Sequence, residues 1–205
     1  MSLKDMALII VDMQNDFVHE DGFSWKYSKQ EGQAENPMAR LRTPIPNIRK
    51  LADTFREKNL EVVYIYTACE ADFSDVAMPL RLITAAKEAG ALVKGTWGTK
   101  IIDELAPHEQ DHVVKKHSYD GFFQTPLDRI LRNMGKKRLV FTGVNTNFCV
   151  ETTVREAVAY GYDITLVSDA TTSFDPDGHN ATLKVIANGF GDVMSTGDVI
   201  KLLDQ

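Results

Sequence analysis

The stretch from Arg138 to Ser168, RLVFTGVNTNFCVETTVREAVAYGYDITLVS, decides the architecture. It opens and closes on apolar, β-branched runs, Arg138–Thr142 and Asp163–Ser168. Neither run alternates apolar with polar, which is the pattern of strands covered on both faces and hence of a parallel sheet. Between them, Val150, Val154, Ala157 and Val158 keep a 3.6-residue period, and Gly161 stands where a helix would stop. Strand, helix and strand in this order form a βαβ crossover.

The same alternation extends to both ends. Further strands are predicted at Ala7–Val11, Glu61–Tyr66 and His112–Val114, with a weak last strand at Gly191–Met194. Helices are predicted at Asn47–Lys58, Pro126–Met134, Thr146–Tyr160 and His179–Asn188, with a short one ending at Leu203. The expected fold is a single domain over residues 1–205, a three-layer α-β-α, doubly wound α/β unit around a mostly parallel six-stranded sheet. Two segments break the alternation. Residues 18–44 are polar and carry Trp25, Tyr27, Pro37 and Pro44; residues 68–100 hold a short helix, Leu80–Ala89, and a turn-prone Lys94–Gly98. Both begin at carboxyl ends of strands, where open parallel sheets bind ligands.

Composition narrows the function. A net charge of -6 over 205 residues, with 25% charged side chains, leaves no basic footprint for nucleic acid. No apolar run approaches the ~20 residues of a membrane helix, and no signal-like stretch opens the chain. Two cysteines, Cys69 and Cys149, are too few for a disulfide framework, so a reducing, cytoplasmic setting and a small-molecule partner are expected. The five histidines show no HExxH spacing, CxxC is absent, and neither GxxxxGK[ST] nor GxGxxG occurs, so no metal or nucleotide cofactor is expected.

Three ionisable residues fall at or just beyond strand carboxyl ends: Asp12, Lys116 and Cys149. A helix N-terminus and a nearby ammonium favour a thiolate, which predicts a lowered pKa and a nucleophilic Cys149. The plain alternative is a cysteine packed as a small hydrophobe, and position alone does not separate the two. Asp12 fits a proton acceptor or a turn-closing residue equally. Lys115 and Lys116 point to opposite faces of their strand, so one of them at most faces a site there; spacing does not choose. Cys69 has no evident charged partner and reads as packing. Trp25, Tyr27, Trp97, Tyr119, Phe122 and Phe123 fall in loops and are candidates for a pocket wall or for ordinary loop packing.

Three motifs in order, LIIVDMQNDF, VVKKHSYDGFFQTPLDRIL and LVFTGVNTNFCVETTVREAVAYGYDITLVSDAT, closely resemble the isochorismatase-like cysteine hydrolase superfamily. The resemblance implies a catalytic triad of Asp12, Lys116 and Cys149, choosing Lys116 because it precedes the Tyr119, Gly121, Phe122 pattern. It also implies a non-proline cis peptide at Val144–Asn145, an oxyanion hole from the backbone N–H groups of Asn145 and Cys149, and a substrate pocket at Phe17, Trp97, Tyr119 and Phe122. The implied chemistry is metal-independent cleavage of a C–N amide bond through a thioester, and a homo-oligomer, dimer or tetramer, is expected. Cys149 is unlike true isochorismatases, and YTACEADFSD lacks the histidines of metal-dependent nicotinamidases. The likeness is greatest to the ureidoacrylate and N-carbamoylsarcosine amidohydrolase branch, although Ser118 and Asp120 depart from its usual Arg and Ser. Nicotinamidase and a catalytically silent ligand-binding or scaffold member are the alternatives.

Overall fold

The computed structural model describes residues 2–28 and 36–205. Six parallel strands, β1 (Met6–Val11), β2 (Glu61–Thr67), β3 (His112–Lys116), β4 (Arg138–Val144), β5 (Asp163–Thr172) and β6 (Asp192–Met194), lie in the order β3-β2-β1-β4-β5-β6. Every pairing is parallel, so the expected mostly parallel sheet is wholly so. The helices are α1 (Asn15–Val18), α2 (Phe23–Ser28), α3 (Ile45–Glu57), α4 (Leu80–Ala89), α5 (Leu127–Asn133), α6 (Glu151–Ala159), α7 (Pro176–Gly189) and α8 (Thr196–Leu203). None is long and apolar enough to cross a membrane.

Strand alternation builds two cores at once. Leu8 and Ile10 of β1 face Ile48, Leu51 and Phe55 of α3 and Val199 and Leu203 of α8. Their neighbours Ala7, Ile9 and Val11 face Leu127 and Leu131 of α5, Val150, Val154 and Ala157 in and around α6, and Ile186 of α7. Each residue of β1 is therefore buried whichever way it points, and the strand is apolar without interruption. The chain winds away from β1 in one direction and from β4 in the other. The crevice at the carboxyl ends of these two adjacent strands is the switch point of the sheet, where doubly wound folds place their ligands.

Four strands run past their predicted carboxyl ends, β2 to Thr67, β3 to Lys116, β4 to Val144 and β5 to Thr172. In β2, β3 and β5 backbone pairing continues while the side chains turn polar, so an apolar pattern loses the strand before the sheet does; in β4 it continues through Gly143 and Val144. The segment predicted as one connection over residues 18–44 holds α2 and a 3-10 turn, Pro37–Arg42, and its residues 29–35 lie outside the described residues. Helix α7 starts earlier than predicted, at Pro176, where Asp175 caps the Asp177 amide and proline occupies the first turn.

Candidate active site

Asp12, Lys116 and Cys149 meet at the switch point. Asp12 follows β1 with φ of 54°, a left-handed conformation that aspartate tolerates better than most residues, and its amide donates to Ile65 O of β2. Lys116 ends β3, and its stem crosses the end of β2 to reach the middle of the sheet. Cys149 lies in a π-helical turn, Thr146–Val150, between β4 and α6. The predicted single helix Thr146–Tyr160 thus divides into this wider turn and α6. Asn145 O accepts from the amides of Phe148 and Val150, which flank the Cys149 amide on either side.

The lysine is fully enclosed. Its Nζ donates to Thr67 Oγ1 at 2.6 Å, Ser118 O at 2.9 Å and Cys149 Sγ at 3.4 Å, which uses all three ammonium hydrogens. Asp12 Oδ2 stands 2.9 Å from the same Nζ but accepts no aligned hydrogen bond, so this contact is coulombic. Asp12 Oδ1 accepts from Thr67 Oγ1 at 2.9 Å. Thr67 in turn is gripped by Gln14, whose Oε1 accepts from the Thr67 amide at 2.7 Å and whose Nε2 donates to Thr67 O at 2.9 Å. Gln14 and Thr67 were not predicted. Their signal is the polar residues at the ends of apolar strands, in VDMQNDF and VVYIYT, where a packed core offers them no place.

Electrostatics overturn one expectation. Burial pushes the Cys149 thiol up, the Asp12 carboxylate pushes it further, and Lys116 offsets only part of this. The resting group is therefore a thiol, not the predicted thiolate, and the carboxylate stands within hydrogen-bonding reach of its proton. Burial works against the Lys116 charge, but the Asp12 carboxylate, with the hydrogen bond to the Cys149 sulfur, outweighs it and holds that ammonium above its ordinary range. Lys115 points the other way, to Asp75 Oδ2 at 2.8 Å and Glu70 Oε1 at 3.6 Å. The pair of adjacent lysines is thus divided between two faces, as strand geometry requires.

The four predicted pocket residues separate. Tyr119 stays beside the thiol: burial raises its hydroxyl, and its ring meets Phe148 at 6.1 Å. Phe148 stacks in turn on Phe174 at 5.8 Å, so an unpredicted row of three aromatic rings lies at the turn that carries Cys149. Phe122 is instead a core residue, stacked on Tyr160 at 5.2 Å and tilted against Tyr162 at 5.9 Å, toward the far end of α6 from Cys149. Phe17 packs between the α3-side core and the small cluster around Cys69. Trp97 meets His19 edge-on and lines an open cleft of about 540 Å³ with Phe23 and Tyr27, to which none of Asp12, Lys116 and Cys149 contributes.

Two further polar residues serve the frame. Asp120 accepts from the amides of Phe122 and Phe123 and so closes its own turn. Asp16 is buried and accepts from Leu92 and Phe23, with Gly98 so close that a side chain there would overlap its carboxylate. Gly143 is required for the same kind of reason: its φ is 106°, and a Cβ would strike the backbone of Val11. Among the described residues no group of three or more His, Cys, Asp or Glu side chains could hold a metal ion.

Comparison with known proteins identifies the family. The isochorismatase domain family matches residues 6–198. The chain is 32% identical to a ureidoacrylate amidohydrolase, RutB, of Rhizobium rhizogenes over 98% of this chain and 84% of that protein. Its fold matches a cysteine hydrolase of Pseudomonas syringae pv. phaseolicola with a TM-score of 0.83 and 26% identity, over 100% of this chain and 94% of the other. The N-carbamoylsarcosine amidase of Thermoplasma acidophilum matches with a TM-score of 0.71 and 29% identity, over 94% and 96% of the two chains. With its parallel sheet and the matched span from β1 into α8, the chain belongs to the isochorismatase family of hydrolases.

Proposed function

We propose that this protein is a cysteine amidohydrolase that cleaves the C–N bond of a small carbamoyl, ureido or carboxamide compound, with Asp12, Lys116 and Cys149 as its catalytic residues. The observation that carries the reading is the arrangement of a buried ammonium 3.4 Å from the Cys149 sulfur and 2.9 Å from a carboxylate oxygen that accepts no other hydrogen bond. A carboxylate with a free lone pair beside a neutral thiol is a general base in place. The amidohydrolase names of the relatives support the substrate class.

The steps follow from these groups. Asp12 takes the thiol proton as Cys149 Sγ attacks the substrate carbonyl carbon. Lys116 stabilises the negative charge while it passes from carboxylate to sulfur. The carbonyl oxygen becomes an oxyanion, for which the amides of Asn145 and Cys149 are the proposed donors; each such donor is worth about 3 kcal/mol of barrier. Collapse breaks the C–N bond, and the leaving nitrogen departs with the proton from Asp12. Water then adds to the thioester, with Asp12 as its base, and the freed thiolate recovers a proton. Tyr119, Phe148 and Phe174 offer flat faces to a planar ureido or amide group.

An ammonia-release screen over ureido acids, carbamoyl amino acids, nicotinamide and biuret tests the class and the substrate together. Turnover by the native protein and none by Cys149→Ala is expected, along with an acyl adduct on Cys149 seen by mass spectrometry after acid quench. Native turnover in Cys149→Ala would falsify the scheme.

A further inference from the structure

A second polar network lies behind the nucleophile turn and shares no side chain with the triad. His179, near the start of α7, places Nδ1 2.9 Å from Thr146 Oγ1. Thr146 Oγ1 lies 3.0 Å from Thr171 Oγ1, and Thr171 Oγ1 donates to Gly143 O at 2.8 Å. Both hydroxyls are buried, Thr146 at 0% and Thr171 at 3% exposure, so neither turns to water for a partner. Helix α7 is seated tightly here: a side chain on Gly178 would collide with Asn147 of the nucleophile turn.

The proton direction along this chain follows from counting hydrogens. A carbonyl oxygen only accepts, and a threonine hydroxyl has one hydrogen to give. Thr171 spends its hydrogen on Gly143 O. The contact between the two threonines then needs the hydrogen of Thr146. That leaves Thr146 Oγ1 as an acceptor toward His179, so Nδ1 must carry hydrogen. With the other neutral tautomer, protonated on Nε2, two hydroxyl hydrogens would have to serve three contacts, so either the 2.9 Å contact to His179 or the 3.0 Å contact between the threonines would go without one and the relay would lose a buried hydrogen bond.

We infer that His179 is a positioning residue, fixed as the Nδ1–H tautomer, which drives a one-way relay through Thr146 and Thr171 to Gly143 O and so holds the turn that carries Asn145 and Cys149. The relay grips the turn on both sides of Asn145, at Gly143 O before it and at the Thr146 side chain after it. Gly143 has no side chain with which to anchor itself, and Val11 leaves no room for one. The anchoring therefore comes from β5 and α7. The tautomer is independent of any activity, whereas the effect on turnover rests on the hydrolase reading above.

Two experiments test this. Long-range proton–nitrogen correlation spectra of the ¹⁵N-labelled native protein at pH 8, with the ring of residue 179 assigned by its loss in His179→Gln, read the tautomer directly. A protonated Nδ1 and a bare Nε2 are expected; the reverse overturns the inference. In turnover assays, His179→Asn, whose amide N–H replaces Nδ1–H, should keep kcat within about threefold of native. His179→Asp, which offers only acceptors there, and His179→Leu should lower kcat by roughly tenfold or more, with KM within twofold. Equal kcat in all three variants also overturns it. If Cys149→Ala retained native turnover, the hydrolase reading would fail while the tautomer result stood; an Nε2–H ring with an inactive Cys149→Ala would fail this inference alone.

Discussion

Strand β3 divides two cysteine-centred sets between its faces, and they differ in outcome. On one side Cys149, Lys116 and Asp12 share a closed space; on the other Cys69 feels the charges of Asp75 and Lys115. Both sets hold a thiol, a lysine and a carboxylate, and in both burial raises the thiol, Cys69 to about 11. The difference lies in how the hydrogens are spent. The Cys69 thiol donates to Leu92 O at 3.1 Å, and Lys115, a quarter exposed, is drawn outward by Asp75 and Glu70. Lys116 has no exposure and gives one of its hydrogens to the Cys149 sulfur. Residue types in proximity do not suffice for a nucleophile; under the proposed chemistry an unspent carboxylate oxygen and an ammonium aimed at sulfur supply what is missing.

This contrast breaks most readily at the two lysines. Lys116→Ala is expected to lower turnover about a thousandfold or more, as loss of one member of a catalytic set does, and Lys115→Ala to stay within about twofold. Equal losses would erase the distinction between the two faces. Stability should divide in the same way. Asp12→Ala leaves a fully buried ammonium without its counter-charge and should cost about 3 to 5 kcal/mol in urea unfolding. Asp75→Ala breaks a partly exposed pair and should cost about 1 kcal/mol or less.

Labelling with iodoacetamide sharpens the electrostatic half of the comparison. At pH 7 neither cysteine should react faster than an unhindered free thiol, because both are raised. Asp12→Asn removes a charge that raises Cys149, and should speed labelling at that residue alone. Rapid modification of native Cys149 at pH 7 would show that Lys116 outweighs burial and Asp12. The smallest effect is on stability at high pH. The folded chain holds the Cys69 proton more tightly than the unfolded chain does, so stability is whole below the ordinary thiol value of 9.0 and declines as pH rises toward about 11. Thermal melts between pH 8 and 11 should show a shallower decline in Cys69→Ala than in the native chain.

Much of this was legible in sequence, for a physical reason. Strands buried on both faces must be apolar throughout, so β1, β4 and β5 announce themselves, and with them the sheet and its crevice. The ends of the strands were illegible for the converse reason. Thr67, Lys115, Lys116, Thr171 and Thr172 remain in the ladder but are polar. Alternation restricted the lysine to one of two without choosing, and only the resemblance named Lys116. The direction of the Cys149 shift was missed because a helix terminus and a lysine are visible in sequence, whereas the burial of a thiol against Asp12 is not. Phe122 was misassigned because an aromatic residue after a strand looks the same whether it turns to the crevice or, as here, down along α6.

The tightly held proton on Lys116 bears on the enzyme's survival under the proposed chemistry. Each turnover would place an activated acyl group on Cys149 Sγ, at the atom 3.4 Å from the lysine nitrogen in the resting site. A neutral amine at that distance would capture the group and end as an inert amide, silencing the protein after one cycle. An ammonium has no lone pair with which to do so. By keeping Lys116 charged, the Asp12 carboxylate 2.9 Å away guards the site against acylation by its own intermediate, and leaves water as the nucleophile that clears it.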